Sequence, residues 1–432
     1  MTDVSDIFVS NLSGIAKASL PEEVVLQARL CIADYIACAC AGSSFIRPRI
    51  DSFLEASSLQ SGSSAVLGTA FRTSLHNAAL LNAMSAHSTE LDDGHRLGML
   101  HLGAGILSAL LPVAELEGLP FDRVISGTVA GYEAAVRLAI SMQPSHKMRG
   151  YHTSGTCGTV GGAVAIAVAM DFPERMLKSA ISAAVAGAGG LLELQENSSQ
   201  MKPYNLAHAA VAAISAAYTA KAGFIGPDDP IGGRRGILAV MSENADTSAL
   251  TYFNPGDYSI MGIYRKPYAA CRHCHPAIEA SLKIKDDHHL QPSDIEEVNV
   301  KTYKLAVGGH DHKEIKGIAS AKLSIPFSVA LAMVKGSAGM GDFNEKNICD
   351  PEILDLTSKV SITQDDTLTS WSPRKRAAIV SISTKSGETY SCEIDYPKGE
   401  PENPMTYEEI VSKFRGLTLG IPLNEYYRQY GL

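Results

Sequence analysis

The spacing of apolar residues predicts helices through about the first 260 residues of the chain. Pro21 and two glutamates open a helix whose apolar positions run from Val24 to Cys40 and end at Gly42. Further helices are expected over residues 74–91, 104–118, 122–142, 161–170, 173–192 and 203–223. Several of these are rich in alanine and almost without charge, which is typical of helices in the middle of a bundle. We therefore predict a tightly packed helical domain.

The pattern changes after about Tyr264. Strands are expected over residues 295–303, more weakly over 360–363, and as two β-rich runs within 376–396, with a helix over 319–334. Lys385-Ser386-Gly387 joins the two runs as a hairpin signal. A last helix, residues 406–417, follows the capping box of Thr406 and Glu409. The sequence thus predicts a mainly α protein with a second, α+β domain.

Composition and charge narrow the class of protein. The chain has 432 residues, 45% of them hydrophobic and 19% charged, which is ordinary globular usage and enough for two domains. Its net charge of −9 argues against nucleic acid or an anionic membrane as the partner. We expect no apolar run long enough to span a membrane, no secretory signal, and cysteines that are buried in a reducing compartment. These features predict a cytoplasmic protein.

The densest group of ionisable residues follows the helix predicted over 74–91. It consists of His87, Glu90, Asp92, Asp93, His95, Arg96 and His101. If the helix continues to Leu91, His87 and Glu90 lie on one face, and Asp93-Gly94 then turns the chain. Acids and histidines gathered at such a junction indicate the wall of an active site. A solvated, charged turn is the alternative.

Two further segments place a candidate side chain at the start of a helix. His152 precedes a glycine-rich stretch, 153–162, whose backbone could approach an anion, although close helix packing explains the glycines more simply. A nucleotide-binding motif is excluded because no strand precedes it. Lys202 stands before Pro203, and we expect little negative charge near it. Such a lysine can bind a carboxylate or act as a base, and the alternative is an exposed lysine.

Residues 264–276, YRKPYAACRHCHP, form the most cationic short run of the chain. The run lies where the helical part gives way to the α+β part, a common place for a ligand cleft. Cys271 to His275 matches the C-x-x-C-H pattern of haem attachment, which we reject because no export signal accompanies it. Zinc held by Cys271 and Cys274 lacks a second Cys/His pair at ligand spacing, so we predict no metal site. A metalloprotein built on Cys271, Cys274 and the nearby histidines stays open as the last alternative.

Several motifs, in order along the chain, resemble the MmgE/PrpD family. They are HSTELDDGHR (87–96), His101, HTSGTCGTVGG (152–162), QMKP (200–203), RKPYAACRHCH (265–275) and GEPENPMTYEE (399–409). The family includes 2-methylcitrate dehydratase, cis-aconitate decarboxylase and iminodisuccinate epimerase. The resemblance implies a large all-helical domain built from both chain ends (1–263 and 400–432) and an inserted α+β lid domain (264–399). It also implies a homodimer and cofactor-free chemistry on small polycarboxylates.

By motif position, the resemblance implies active-site roles for His101, His152, Lys202 and Lys266, with the segment Glu90 to Asp93 beside them. The chain also departs from the family pattern within these motifs. Glu90 stands where the family often has aspartate, and Gly94 where the decarboxylases tend to have threonine. Asn205 and Cys271 stand where histidines are frequent. These changes fall at predicted pocket positions, so the resemblance does not identify the substrate.

The residues suit one shared chemical step. Removing a proton α to a carboxylate needs a positioned base, and cations that stabilise the developing charge. We predict that Lys202, Lys266 and Arg272 hold carboxylates and that His101 and His152 exchange protons, with Asp93 or Glu90 orienting one of them. Further predicted substrate contacts are His87, Asp92, Cys271 and His275. Loss of a β-hydroxyl would make the enzyme a dehydratase, our principal prediction. An epimerase, a decarboxylase and a non-catalytic polycarboxylate-binding protein are the alternatives.

Overall fold

A computed structural model describes residues 3–56, 61–196, 199–254, 256–421, 423 and 425–431. Within these residues the chain is mainly α-helical, as predicted. It divides into two compact units. The first contains Met1–Glu196, Met201–Ile263 and Thr406–Leu432, and the body of the second is Tyr264–Met405. The return to the first unit thus falls after Met405, where the sequence predicted it after residue 399.

The first unit is built from helices. Those of eight or more described residues are α1 (Val4–Lys17), α2 (Glu22–Phe45), α3 (Arg47–Ala56), α4 (Leu75–Ser88), α5 (Gly103–Glu117), α6 (Phe121–Met142), α7 (Thr153–Ala169), α8 (Glu174–Gly187) and α9 (Tyr204–Lys221). The unit also contains Tyr407–Thr418, a helix from the far end of the chain. Shorter helical turns are Ser145–Met148, Leu192–Gln195, Ile237–Met241, Ser248–Thr251, Ser259–Gly262 and Glu425–Arg428. Ser64–Ala65 pairs antiparallel with Arg72–Thr73.

Helix α7 lies at the centre of this unit. All of its residues are buried, and it packs against α5, α6, α8 and α9. The backbones approach so closely that a Cβ atom on Gly161 would lie 2.7 Å from the carbonyl oxygen of Gly131 in α6. The helix begins at Thr153, well before the predicted start at residue 161, because packing outweighs the low helix propensity of glycine. The glycines therefore serve close helix contact, which was the simpler of the two explanations.

Helix α2 corrects one expectation from the sequence. By length and composition it could cross a membrane, so the expectation that no apolar run reaches that length is wrong. In the structure, 72% of its most apolar window is buried, and it packs against α4, α5 and Tyr407–Thr418. Its three cysteines, Cys31, Cys38 and Cys40, are buried as expected. These surroundings are those of a core helix.

The second unit combines helices with a four-stranded sheet. Its longer helices are α10 (His275–His288), α11 (Ile325–Lys335) and α12 (Pro351–Lys359), and its shorter turns are Pro292–Asp294, Lys304–Val307, Ile318–Leu323, Asn347–Cys349 and Asp366–Trp371. The strands are β1 (Ile295–Thr302), β2 (Val360–Gln364), β3 (Ala378–Thr384) and β4 (Thr389–Ile394), in the order β2-β1-β3-β4. Strand β1 pairs parallel with β2 and antiparallel with β3. Helices α10 and α12 pack against the sheet.

Local sequence explains the boundaries in this unit. The predicted hairpin is present, with Gly387 in the left-handed region (φ 90°) between β3 and β4. Along β3, buried residues alternate with half-buried ones, as a sheet covered on one face requires. The helix predicted over 319–334 is instead two helices, because the Ser324 side chain caps α11 by accepting from the N–H of Phe327. Pro326 in the first turn reinforces this new start. The last of the longer helices, α13 (Tyr407–Thr418), has the predicted capping box of Thr406 and Glu409.

Candidate active site

The ionisable cluster of the first unit begins where α4 ends. The helix stops at Ser88, so the prediction that it carries Glu90 on the face of His87 is wrong. Thr89 ends it by donating its hydroxyl to the carbonyl of Ala86, and Glu90 then takes a left-handed conformation (φ 54°). A non-glycine residue in this region costs on the order of 1–3 kcal/mol and is found most often at functional sites.

Asp92 joins two histidines. Its Oδ2 lies 2.7 Å from Nδ1 of His87 and 3.4 Å from Nδ1 of His101. The two rings meet edge to face, with their centroids 4.8 Å apart. His101 Nδ1 also lies 2.9 Å from the backbone oxygen of Asp93. Because a carbonyl only accepts, His101 carries a proton on Nδ1.

His87 has no access to solvent. Its side chain is fully buried, and its Nε2 has no hydrogen-bond partner among the residues that the structure describes. Since buried polar atoms are nearly always paired, an orphaned imidazole nitrogen indicates a place where a polar ligand group can bind. The sequence predicted His87 and Asp92 as substrate contacts. The geometry adds that Asp92 is the carboxylate that orients the histidines.

Asp93 faces away from these rings. Its Oδ2 accepts the Tyr132 hydroxyl at 2.7 Å, and its Oδ1 accepts the Gly103 N–H at 2.8 Å, at the start of α5. Burial raises the pKa of Asp93 to about 6, although these hydrogen bonds oppose the rise. Asp93 therefore anchors the loop to α5 and α6, and it touches His101 through its backbone oxygen rather than its carboxylate. Its predicted catalytic role stays a prediction.

The raised pKa of Asp93 predicts how stability depends on pH. Between the unfolded value near 3.8 and the folded value of about 6, the folded state holds this proton more tightly. The free energy of unfolding should therefore fall by about 3 kcal/mol as pH rises through this window. Asp93→Asn should remove that fall, measured by urea unfolding at several pH values. The exposed Asp287→Asn is the control, and wild-type and Asp93→Asn curves that run parallel would contradict the prediction.

His152 caps the deepest helix of the unit. It is the residue before α7, and its N–H donates to the Gly190 carbonyl at 3.0 Å. Its ring is buried, and its Nδ1 has no hydrogen-bond partner within the described part of the chain. Burial, and then the positive charges of His87, Lys202 and His101, hold the pKa of His152 well below 6.5. At neutral pH the imidazole is uncharged and can accept a proton.

Lys202 lies just ahead of α9, as its position before Pro203 predicted. The expectation of little negative charge nearby is wrong, because its ammonium is paired with the carboxylate of Glu90. Both side chains are about nine-tenths buried. The side chain of Asn205, one turn later, binds both the N–H and the carbonyl of Leu191, at 3.1 and 3.2 Å. Asn205 thus holds the strand segment whose Gly190 carbonyl fixes His152.

The remaining predicted residues lie in the second unit. Lys266 is fully buried. Arg272 directs its guanidinium at Glu400, at Nδ1 of His275 and at the carbonyls of Pro397 and Lys398. The other ring nitrogen of His275 lies 3.1 Å from the Ala270 carbonyl. These contacts favour structural tasks for Arg272 and His275, and the predicted substrate contacts of these residues stay predictions.

Sequence reasoning missed two residues of interest. Tyr132 binds Asp93 from inside α6, where a tyrosine on a buried, alanine-rich face was the available signal. His310 lies with its Nε2 3.9 Å from the sulfur of Cys271, and nothing in its spacing indicated that contact.

Two groups among the described residues bring metal-ligating atoms together, namely His87–Asp92–His101 and Cys271–His273–His310. The first is already occupied by the hydrogen bonds of Asp92.

Comparison with known proteins places the chain. The MmgE/PrpD N-terminal domain matches residues 8–250, and the MmgE/PrpD C-terminal domain matches residues 268–423. The chain belongs to the MmgE/PrpD family. The match to the C-terminal domain extends beyond the second unit and includes α13, which lies in the first unit of the structure.

The relatives of this MmgE/PrpD protein reported below are distant in sequence but align with nearly all of it. A cis-aconitate decarboxylase of Aspergillus terreus is 24% identical over 94% of the chain and 87% of its own length. A cis-aconitate decarboxylase-like protein of Aspergillus oryzae is 24% identical, over 94% and 88%. The cis-aconitate decarboxylase of Homo sapiens is 23% identical, over 96% and 88%.

Proposed function

We propose that this MmgE/PrpD protein is a cofactor-independent acid/base enzyme that acts on a small di- or tricarboxylate. The observation that carries the proposal is the unequal setting of two imidazoles, of which His152 is buried and His101 is partly exposed. His152 is uncharged at neutral pH, with an orphaned nitrogen. His101 lies against the Asp92 carboxylate and the Asp93 carbonyl and carries a proton on its Nδ1. An uncharged imidazole and an imidazole that holds a proton beside a carboxylate are suited to act as base and acid.

We propose dehydration as the principal reaction. His152 would remove the proton α to a carboxylate, and the electrons of that C–H bond would form the carbon–carbon double bond. The bond to the β-hydroxyl would break, and His101 would protonate the departing oxygen so that it leaves as water. Lys202 would attract a substrate carboxylate, in exchange for part of its contact with Glu90. A β-elimination uses a base and a separate acid, which is what this arrangement supplies.

Decarboxylation is the second candidate, and the names of the relatives support it. In that reaction the bond to a carboxylate breaks, carbon dioxide leaves, and one imidazolium protonates the resulting carbanion. Epimerisation would differ only in returning the proton to the opposite face of the same carbon. The departures at Glu90 and Asn205 are compatible with a reaction that differs from that of the decarboxylases.

Proton NMR in deuterated water tests the proposal. The purified protein would be incubated separately with 2-methylcitrate, citrate, cis-aconitate and iminodisuccinate. We expect deuterium at a carbon α to a carboxylate together with an unsaturated product, and a decarboxylated or epimerised product would select the other reactions. The same preparation of His152→Ala controls for contaminating enzymes. Binding seen by thermal shift without exchange or product for any acid would contradict an enzyme and favour the polycarboxylate-binding protein.

A further inference from the structure

The second unit contains a group of ligand atoms that take no part in the proton transfers proposed for His152 and His101, although Cys271 was also predicted as a substrate contact. Cys271, His273 and His310 each offer one such atom, and these atoms lie within 4.8 Å of one another. His310 comes 39 residues after Cys271 and belongs to the loop that follows Lys304–Val307. The sequence predicted no metal here because it lacked a second Cys/His pair at ligand spacing, and it kept a metalloprotein on Cys271 and Cys274 only as the last alternative. The fold supplies the missing ligand from a distant loop.

The ring of His310 is already oriented as a ligand would be. Its Nδ1 lies 2.8 Å from the carbonyl oxygen of Leu323, so this nitrogen carries the proton. The lone pair of Nε2 then faces the sulfur of Cys271 at 3.9 Å. Metal-binding histidines usually donate their other ring N–H to a carbonyl or carboxylate in this way, which fixes the tautomer and the ring direction.

The other two ligands are fixed by the fold around them. The N–H of Cys271 donates to the Lys322 carbonyl at 2.8 Å, so the sulfur projects from an anchored turn. Nδ1 of His273 lies 2.5 Å from the hydroxyl of the buried Tyr303, and the His273 and His310 rings have their centroids 5.0 Å apart. The carbonyl of Leu323 thus makes an outer-shell contact to His310, and the phenol of Tyr303 makes one to His273.

We propose that Cys271, His273 and His310 form a three-ligand site for Zn²⁺ or a similar borderline-soft divalent ion. Thiolate and imidazole are the ligands that such ions select. Typical bond lengths of about 2.3 Å to sulfur and about 2.0–2.1 Å to nitrogen place tetrahedral ligand atoms roughly 3.4–3.6 Å apart. Atoms that lie within 4.8 Å of one another must therefore close by up to about 1.5 Å. The thiol proton passes to solvent when the ion binds. Three protein ligands leave a fourth position for water or an anionic oxygen.

Two buried arginines bear on the charge of this group. Arg376 interacts electrostatically with Cys271, where its charge favours the thiolate. Arg272 lies in the same region, but its guanidinium is paired with the buried carboxylate of Glu400 at 3.0 Å. The Cys271 thiolate offsets one of the two charges of the ion. Cys274, the second cysteine of the C-x-x-C pattern, is fully buried and lies outside the ligand group. The site therefore differs from both the haem and the zinc patterns that the sequence suggested.

Cobalt spectroscopy of the full chain tests the site without any measurement of turnover. Titration of metal-free protein with Co²⁺ should give one equivalent bound, with a thiolate-to-cobalt charge-transfer band in the near ultraviolet. Cys271→Ser should abolish that band, and His310→Ala should weaken binding at least about tenfold, the loss expected even from a disturbed outer shell. Cys349→Ser, which changes an exposed cysteine of the same unit, is the matched control and should bind like wild type.

Thermal unfolding distinguishes a lost site from a damaged fold. In chelator, Cys271→Ser and wild type should melt at the same temperature. Added Zn²⁺ should raise the melting temperature of wild type and of Cys349→Ser, and should leave that of Cys271→Ser unchanged. Absence of cobalt binding by wild type, or a charge-transfer band that survives in Cys271→Ser, would overturn the proposal whatever the reaction of the first unit.

Discussion

His152→Ala should lower turnover by about 10²–10⁴-fold, the usual contribution of a positioned acid or base. His152 is the N-cap residue of α7, but its imidazole makes no capping hydrogen bond. Alanine therefore preserves the N–H contact to Gly190 and removes only the proton acceptor. The measurement is the rate of product formation on the acid identified by NMR, together with a urea unfolding curve to show that the variant is folded.

His208→Ala is the matched control for this experiment. His208 is a half-buried histidine of α9 whose Nε2 contacts the Gly187 carbonyl at 3.2 Å. We expect near-normal turnover in that variant. The pH dependence of kcat/KM in the wild type adds a second readout. Because the pKa of His152 lies well below 6.5, we expect kcat/KM to stay high as the pH falls through 6.5 and to drop only in more acidic solution. Near-normal turnover of His152→Ala would remove His152 from the mechanism.

Glu90→Gln should destabilise the protein by about 3–5 kcal/mol, because it leaves the ammonium of Lys202 buried without its carboxylate. The amide is nearly the same size as the carboxylate, so packing and the left-handed backbone are retained. Lys202→Met should be costly for the reciprocal reason, whereas the double variant should recover much of the loss. Urea unfolding of the four proteins at pH 7 measures the coupling.

An exposed ion pair sets the scale for this cycle. Arg47 and Asp51 are 2.7 Å apart on α3, with about half of each side chain in solvent. Breaking it with Asp51→Asn should cost at most about 1 kcal/mol. A similarly small cost for Glu90→Gln, or a double variant no more stable than either single one, would show that the pair does not behave as buried and coupled.

Local patterns in the sequence were sufficient for most of the elements. Apolar spacing located α5, α6 and α9 to within a residue or two, and the Thr406/Glu409 capping box gave the start of α13. These features depend on neighbours in the chain. The motif positions also singled out the histidines and acids that the first unit brings together around Asp92.

Contacts between distant segments could not be predicted. Glu90 and Lys202 are 112 positions apart, and no pattern in either segment indicated that they pair. The left-handed turn at Glu90 was hidden as well, because glutamate is an uncommon residue for that conformation. The contact between His310 and Cys271 could not be predicted for the same reason as the Glu90–Lys202 ion pair, since it depends on how the second unit folds.

Helix α13 affects the order in which the first unit can fold during synthesis. Its Lys413 reaches the carboxylate of Asp34 in α2 at 2.7 Å and the carbonyl of Leu91 at 2.8 Å. Leu91 lies between Glu90 and Asp92, so the loop that carries these carboxylates is fastened by a residue that the ribosome adds late. At roughly 5–20 residues per second, synthesis of Tyr264–Met405 takes roughly 7–30 s. During that interval α2 and the loop at Leu91 lack the contacts that Lys413 of α13 later makes to them.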